Sequence, residues 1–192
     1  VQKIMTGIEA AEDAGLTPIK LNSVVVRGDN DTDVVELARQ TLTRPWGVRF
    51  IELMPMGDGD ESKLALSRVV SSEETMERIT DSIGPLIPVP ATHPSDESRN
   101  YQFSGGIGTV GFISPVSDPF CSACNRVRLS AEGKLLLCLL RDDEADLRAV
   151  IRGGGGVEAV SHALRQSILL KPVGHALDEG IHASRRMHEI GG

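Results

Sequence analysis

A chain of 192 residues with 40% hydrophobic and 24% charged content has the balance of a globular protein, as one large domain or two small ones. A chain of this size buries roughly 70% of its unfolded surface, so it needs no covalent staples. The net charge of −7 argues against broad nucleic-acid binding, yet a local arginine cluster still suits an anionic small ligand. No run approaches the ~20 apolar residues of a membrane-spanning helix. No secretory leader is legible, and three cysteines cannot all pair within one chain. The expected setting is a reducing cytoplasm, where spaced cysteines more often bind metal than form bridges.

The chain opens Val1-Gln-Lys-Ile4, and Ile4, Ile8 and Ala11 already run at helical spacing with no cap before them. The expectation is a chain that opens inside a helix, with an N-terminal part missing. That helix ends near Gly15. Pro18 to Val26, rich in β-branched residues, reads as a buried strand with Lys20 and Asn22 on one face. Arg27 to Asp33 is a turn feeding a helix with Val34, Leu37, Ala38 and Leu42 on its buried side. Gly47 to Met54, closed by Pro55, is a second strand, so the three elements form a βαβ unit with parallel strands. Arg49 and Lys20, cations within adjacent strands, could face one cavity. Met54 lies at the carboxyl end of its strand, where α/β sheets gather ligands, although plain packing also explains a methionine.

After Pro55 the residues 56–62 read as a polar, glycine-containing link. Ser71-Ser-Glu-Glu74 is a capping box opening a helix that runs through Met76, Ile79 and Ile83 to Gly84. Leu86 to Pro90 is a short extended piece, and 94–100 a polar loop. Residues 101–103 and 109–113 read as strands joined by a glycine-rich hairpin, which lacks the context of a phosphate loop.

All three cysteines fall within Cys121-Ser-Ala-Cys124-Asn-Arg126-Val-Arg128-Leu-Ser-Ala-Glu-Gly133-Lys-Leu-Leu-Leu-Cys138. Ser130 to Gly133 reads as a hairpin turn that returns Cys138 towards Cys121 and Cys124. Structural zinc wants four ligands, usually two C-x2-C pairs, and the second pair is absent. A three-cysteine iron–sulfur cluster with one open iron fits better. Arg126 and Arg128 share a strand face. Alone they read as a solvated face, and beside thiolates as an anion site. A helix around 143–152, a flexible break at Gly153–Gly156, and a helix from about Val157 to Leu169 follow. His162 and His175 are candidate fourth ligands, without paired spacing to the cysteines. The tail is by default a mobile end.

The chain resembles the C-terminal part of the molybdenum cofactor biosynthesis protein A (MoaA) family, the radical S-adenosylmethionine GTP 3′,8-cyclases. The resemblance rests on Ile19-Lys20-Leu-Asn22, Gly28-Asp-Asn30-Asp, Val48-Arg49-Phe-Ile-Glu-Leu-Met54, Asp118-Pro-Phe-Cys121-x2-Cys124-Asn-Arg126-x-Arg128-Leu, Gly133-x4-Cys138, Lys171-Pro and Gly191-Gly192. It implies an α/β fold: the last strands of an incomplete (β/α)6 TIM-type barrel over 1–60, then an α+β C-terminal domain over 61–192 carrying a cluster. It implies that Cys121, Cys124 and Cys138 hold a [4Fe–4S] cluster whose open iron meets the purine of GTP. Lys20, Arg49, Arg126, Val127 and Arg128 would line the GTP site, and Met54 would contact S-adenosylmethionine. Arg126, Arg128, Gly191 and Gly192 would serve catalysis, the double-glycine tail reaching into the active site.

The implied reaction cyclises GTP to (8S)-3′,8-cyclo-7,8-dihydroguanosine 5′-triphosphate, the first step of molybdenum cofactor synthesis. A cyclic pyranopterin monophosphate synthase would act downstream, and the intact enzyme would be a homodimer. The family's C-x3-C-x2-C motif, which binds the cluster that cleaves S-adenosylmethionine, does not occur in these residues, since no cysteine precedes Cys121. The chain alone is therefore expected to be inactive, as a fragment or as a substrate-binding half supplied with a partner. The competing expectation is a non-catalytic zinc or iron–sulfur module that regulates a partner.

Overall fold

A computed structural model describes residues 2–91 and 93–190. The chain divides into two compact units, Val1–Leu53 with Arg68–Asp118, and Met54–Ser67 with Pro119–Gly192.

In the first unit, helix α1 (Gln2–Asp13) stops at Gly15, whose φ of +74° lets the Leu16 N–H return to the Ala11 carbonyl at 3.0 Å. Strand β1 (Lys20–Val25), helix α2 (Val34–Arg39) and strand β2 (Gly47–Glu52) form the expected βαβ unit. The two strands run parallel, with Lys20 opposite Gly47 and Asn22 opposite Arg49. Strands β3 (Leu86–Val89), β4 (Ser98–Phe103) and β5 (Thr109–Ile113) join the same sheet. Its order is β1-β2-β5-β4-β3, with β5 parallel to β2 and antiparallel to β4. The fold of this unit is a mixed α/β sheet.

One face of that sheet is apolar. Val48, Phe50, Val110 and Phe112 are buried there beneath Val34 and Ala38 of α2 and Ile79 of α4 (Ser72–Ile83). The Phe50 and Phe112 rings lie 6.0 Å apart, and Tyr101 meets Phe112 edge-on at 5.7 Å. Strand β1 was expected to be buried, yet it sits at the edge of the sheet with Lys20, Asn22 and Val24 exposed. Only its alternate residues Leu21, Ser23 and Val25 turn towards the core.

Glu52, at the end of β2, is only 2% exposed. Its carboxylate accepts from the backbone N–H groups of Ser72 (2.8 Å), Val116 (3.0 Å) and Ser117 (2.9 Å), and from the Ser117 hydroxyl. At the start of α4, Ser71 accepts from the Glu74 N–H at 3.1 Å, as a capping box requires. The reciprocal half is replaced, because the Glu74 carboxylate instead holds Arg27 at 2.7 Å and Arg78 at 2.8 Å. Arg78 in turn pairs with Asp31 at 3.0 Å, which pins the turn after β1 to α4.

In the second unit, helix α3 (Gly59–Ser67) replaces most of the polar link expected at 56–62. Asp60 and Glu61 in its first turn favour the positive end of the helix dipole. Strands β6 (Arg128–Leu129), β7 (Lys134–Leu136) and β8 (Glu144–Asp146) form a small antiparallel sheet. Gly133, at φ +81°, makes the β6–β7 turn. β8 and the shorter helix α5 (Leu147–Arg152) replace the single helix expected at 143–152. Lys134 explains the difference: its ammonium reaches Asp146 at 2.8 Å and Glu144 at 3.4 Å, so it holds this acidic segment extended against β7. Asp146 then caps α5 by accepting from the Ala149 N–H at 2.8 Å. Helix α6 (Val157–Leu169) follows the glycine run as expected, and packs Ala163 and Leu164 against Leu135, Leu137 and Leu147. Among the described residues no helix is long and apolar enough to cross a membrane.

Replacing Glu52 by Gln keeps the shape but turns an acceptor-only group into one that donates towards N–H donors. The expected loss is about 1–3 kcal/mol, read from the denaturation midpoint. Acid should also loosen the turn after β1. The Gly28 N–H and then Arg78 hold Asp31 below the ordinary carboxylate range, and Arg27 and then Arg78 do the same for Glu74. Lowered carboxylates add stability above their unfolded values, near pH ~4, and lose it as pH falls through the folded ones. Melting curves should therefore decline more steeply below pH ~4 in the natural chain than in Glu74→Gln.

Candidate functional site

The face of the first unit's sheet opposite the core is polar. Lys20 and Arg49 project from it, as alternation predicts, with Asn22 directly beside Arg49. Two glycines leave room for their stems. A Cβ on Gly47 would touch Lys20 Cγ at 3.7 Å, and one on Gly111, opposite Arg49, would meet Arg49 Cγ at 3.2 Å and Asn100 Oδ1 at 2.7 Å. Ser98 donates to Asn100 Oδ1 at 2.8 Å on the same face. The structure thus gathers two of the expected cations onto one surface, with hydrogen-bonding groups beside them.

In the second unit, Cys121–Ala123 form a single tight turn that returns the Cys124 N–H to the Cys121 carbonyl at 3.1 Å. The hairpin of β6 and β7 then carries the chain back to Cys138. All three cysteines are half-buried free thiols. Burial pushes the Cys138 thiol up. The Leu140 N–H and the Lys171 charge oppose that shift, while Cys121 and Cys124 add to it. Cys121 and Cys124 therefore both lie near enough to act on Cys138. Among the described residues, however, no group of three or more His, Cys, Asp or Glu side chains is arranged to hold a metal ion. The donor set, three free thiols on two arms, fits a thiolate-bound cluster in chemistry.

Arg126 was expected on a strand with Arg128. The strand begins only at Arg128, and the Arg126 guanidinium lies 5.8 Å from the centre of the Phe120 ring. Arg126, Val127 and Arg128 are all exposed. His162 is exposed on α6. His175 accepts from the Leu177 N–H through Nδ1 at 3.3 Å, and its buried Nε2 has no partner among the described residues. The neighbouring Gly174 lies against Cys121, since a Cβ there would sit 3.8 Å from Cys121 Cβ.

The tail is tied down rather than free. Ala183 and Ile190 are buried. The Ser184 N–H donates to the Asp142 carboxylate at 3.0 Å, and Arg185 pairs with Glu144. Arg186 reaches both oxygens of Glu61 on α3, at 3.1 and 2.7 Å. The half-buried Met54 leads into the same corner: the Gly57 N–H donates to the Ala183 carbonyl at 3.1 Å. Gly57 adopts φ +94°, and a Cβ there would lie 2.6 Å from the Glu61 carboxylate. Gly191 and Gly192 lie outside the described residues. Sequence reasoning gave no role to Glu61, Arg186 or Lys171. The Lys171-Pro pair was the one signal pointing to any of them.

Residues 46–177 match the model of the Molybdenum Cofactor Synthesis C family, and the chain belongs to that family. Among curated relatives, a GTP 3′,8-cyclase of Pelotomaculum thermopropionicum is 43% identical over 186 residues, which is 97% of this chain and 57% of the relative. Another, of Moorella thermoacetica, is 41% identical over 192 residues, 100% of this chain and 58% of the relative. A third, of Thermodesulfovibrio yellowstonii, is 37% identical over 192 residues, again 100% and 58%. The chain thus spans somewhat more than half the length of the curated relatives it matches.

The Arg186–Glu61 pair is exposed, at 59% and 52%, so it is a weak tie. Arg186→Ala should speed amide exchange over 183–190 by roughly two- to fivefold at low salt, with a smaller difference at high salt.

Proposed function

We propose that this chain is the nucleotide-binding portion of a GTP 3′,8-cyclase that acts in the first step of molybdenum cofactor synthesis. The observation that carries the reading is the β6–β7 hairpin that brings Cys138 back after Cys121 and Cys124, with Arg126 and Arg128 between them. Family membership and the printed names of the relatives support it.

On this reading Cys121, Cys124 and Cys138 hold a [4Fe–4S] cluster. When bound, that group offers one iron without a protein ligand to a purine atom of GTP. The chain's own residues bind and orient the nucleotide. Lys20 and Arg49 present two cations from one sheet face to phosphate oxygens, and the guanidinium forks of Arg126 and Arg128, with Val127 between them, bind further oxygens. Met54 contacts S-adenosylmethionine, and Gly191 and Gly192 reach towards the substrate. The sequence of this chain holds no C-x3-C-x2-C motif, so a second [4Fe–4S] cluster would be carried by other residues of the intact enzyme.

The same proposal takes residues 1–60 as the end of a (β/α)6 barrel and 61–192 as the cluster-bearing portion. It places the intact enzyme in the cytoplasm as a homodimer and passes its product to a cyclic pyranopterin monophosphate synthase. These last points rest on the resemblance alone.

Anaerobic reconstitution should give about four irons per chain. GTP should then perturb the cluster spectrum, and Arg126→Ala and Arg128→Ala should each weaken GTP by about tenfold or more. A chain that takes one tight zinc and no iron, or variants that leave GTP affinity untouched, would sink this reading in favour of a non-catalytic metal module.

A further inference from the structure

Lys171 lies just past the end of α6, where its N–H bonds the Ile168 carbonyl at 3.1 Å. Its ammonium donates to the Arg126 carbonyl at 2.9 Å and also to the Leu137 carbonyl. Arg126 is two residues beyond Cys124, and Leu137 is one residue before Cys138. One cation therefore spans the two arms that bear the thiols. Three residues on, Gly174 lies near Cys121, since a Cβ there would be 4.0 Å from the Cys121 sulfur. The segment 171–174 thus meets the flanks of all three cysteines. Nothing about a hairpin requires this, because β6 and β7 already pair through their own backbone.

The charge is also placed for a purpose. Among the described residues no carboxylate forms an ion pair with Lys171. Backbone carbonyls accept its protons but do not neutralise it, and a half-buried ammonium gains most where an opposite charge lies close. The thiols carried by the two arms would supply that charge once they ligate a metal as thiolates. Helix α6 sets the anchor, since Ala163 and Leu164 fix it against Leu135 and Leu137 of the hairpin that Lys171 braces.

We propose that Lys171 is the positioning residue of the three-thiol site: by tying the Arg126 and Leu137 carbonyls it sets the spacing of the two arms. This rests on the reading of the cysteines as a joint metal site. It gives Lys171 a part that is neither a metal ligand nor a nucleotide contact.

The test uses Lys171→Met, Lys171→Gln and Lys171→Arg in this chain, each checked for an unchanged melting temperature. The first probe is arsenite added to the reduced, iron-free protein, because trivalent arsenic takes three thiolates and needs no cluster. The second is the rate at which a chelator strips iron from the reconstituted protein. Lys171→Met should weaken arsenite roughly ten- to hundredfold and speed iron loss by a similar factor, as loss of a group that orients ligands does. Lys171→Gln, which keeps a donor without the charge, should fall between, and Lys171→Arg should recover most of both. If Lys171→Met binds arsenite and keeps iron as the natural chain does, the proposal is overturned. If Lys171→Met does not fold, Lys171→Gln decides, and natural affinity in that variant overturns it equally. Lysine-dependent arsenite binding in a chain that takes up no iron would support the positioning role while overturning the iron–sulfur reading.

Discussion

The first unit depends on a carboxylate that, among the described residues, pairs with no cation. Glu52 is buried, and its oxygens accept from N–H and hydroxyl donors of Ser72, Val116 and Ser117. A buried charge tolerates burial only when its lone pairs are used, so the three segments that supply those donors are locked to the end of β2. One donor comes from the first turn of α4, where the helix dipole adds to the attraction. The strand end, the helix start and the turn after β5 are therefore one rigid junction. The chain leaves that junction towards Met54 on one side and towards Asp118 on the other.

The second unit is organised by cations on a scaffold of modest apolar content. Its buried cluster centres on Leu135, Leu137 and Leu147. Lys134 bridges Glu144 and Asp146 between β7 and β8, Lys171 bridges two carbonyls, and Arg185 and Arg186 fasten the tail to Glu144 and Glu61. Several of these side chains are well exposed, so the pairs fix geometry more than they add stability.

The elements that could be read from the sequence are those whose causes are local. The βαβ unit follows from β-branched runs around an amphipathic helix, the β6–β7 turn from Gly133 at φ +81°, and α6 from a glycine break followed by apolar spacing. The elements missed depend on distant partners. β8 is an acidic stretch that Lys134 holds extended, and the tail lies down because Asp142, Glu144 and Glu61 receive it. The cysteines and arginines of the site stand out as a motif. Lys171 does not, because its partners are backbone carbonyls 45 and 34 residues away, and any residue type could supply them.

Gly57 carries a consequence for how natural variants of this chain should be interpreted. It lies in a short irregular stretch, where a change to alanine or serine would ordinarily pass as neutral. Its positive φ strains any side chain, and a Cβ there would displace the Glu61 carboxylate beside it. Such a change would push Glu61 away from Arg186 and disturb the bond to the Ala183 carbonyl. Its effect would surface far along the chain from the substitution, over 183–190, where a residue-by-residue inspection of the loop would never look for it.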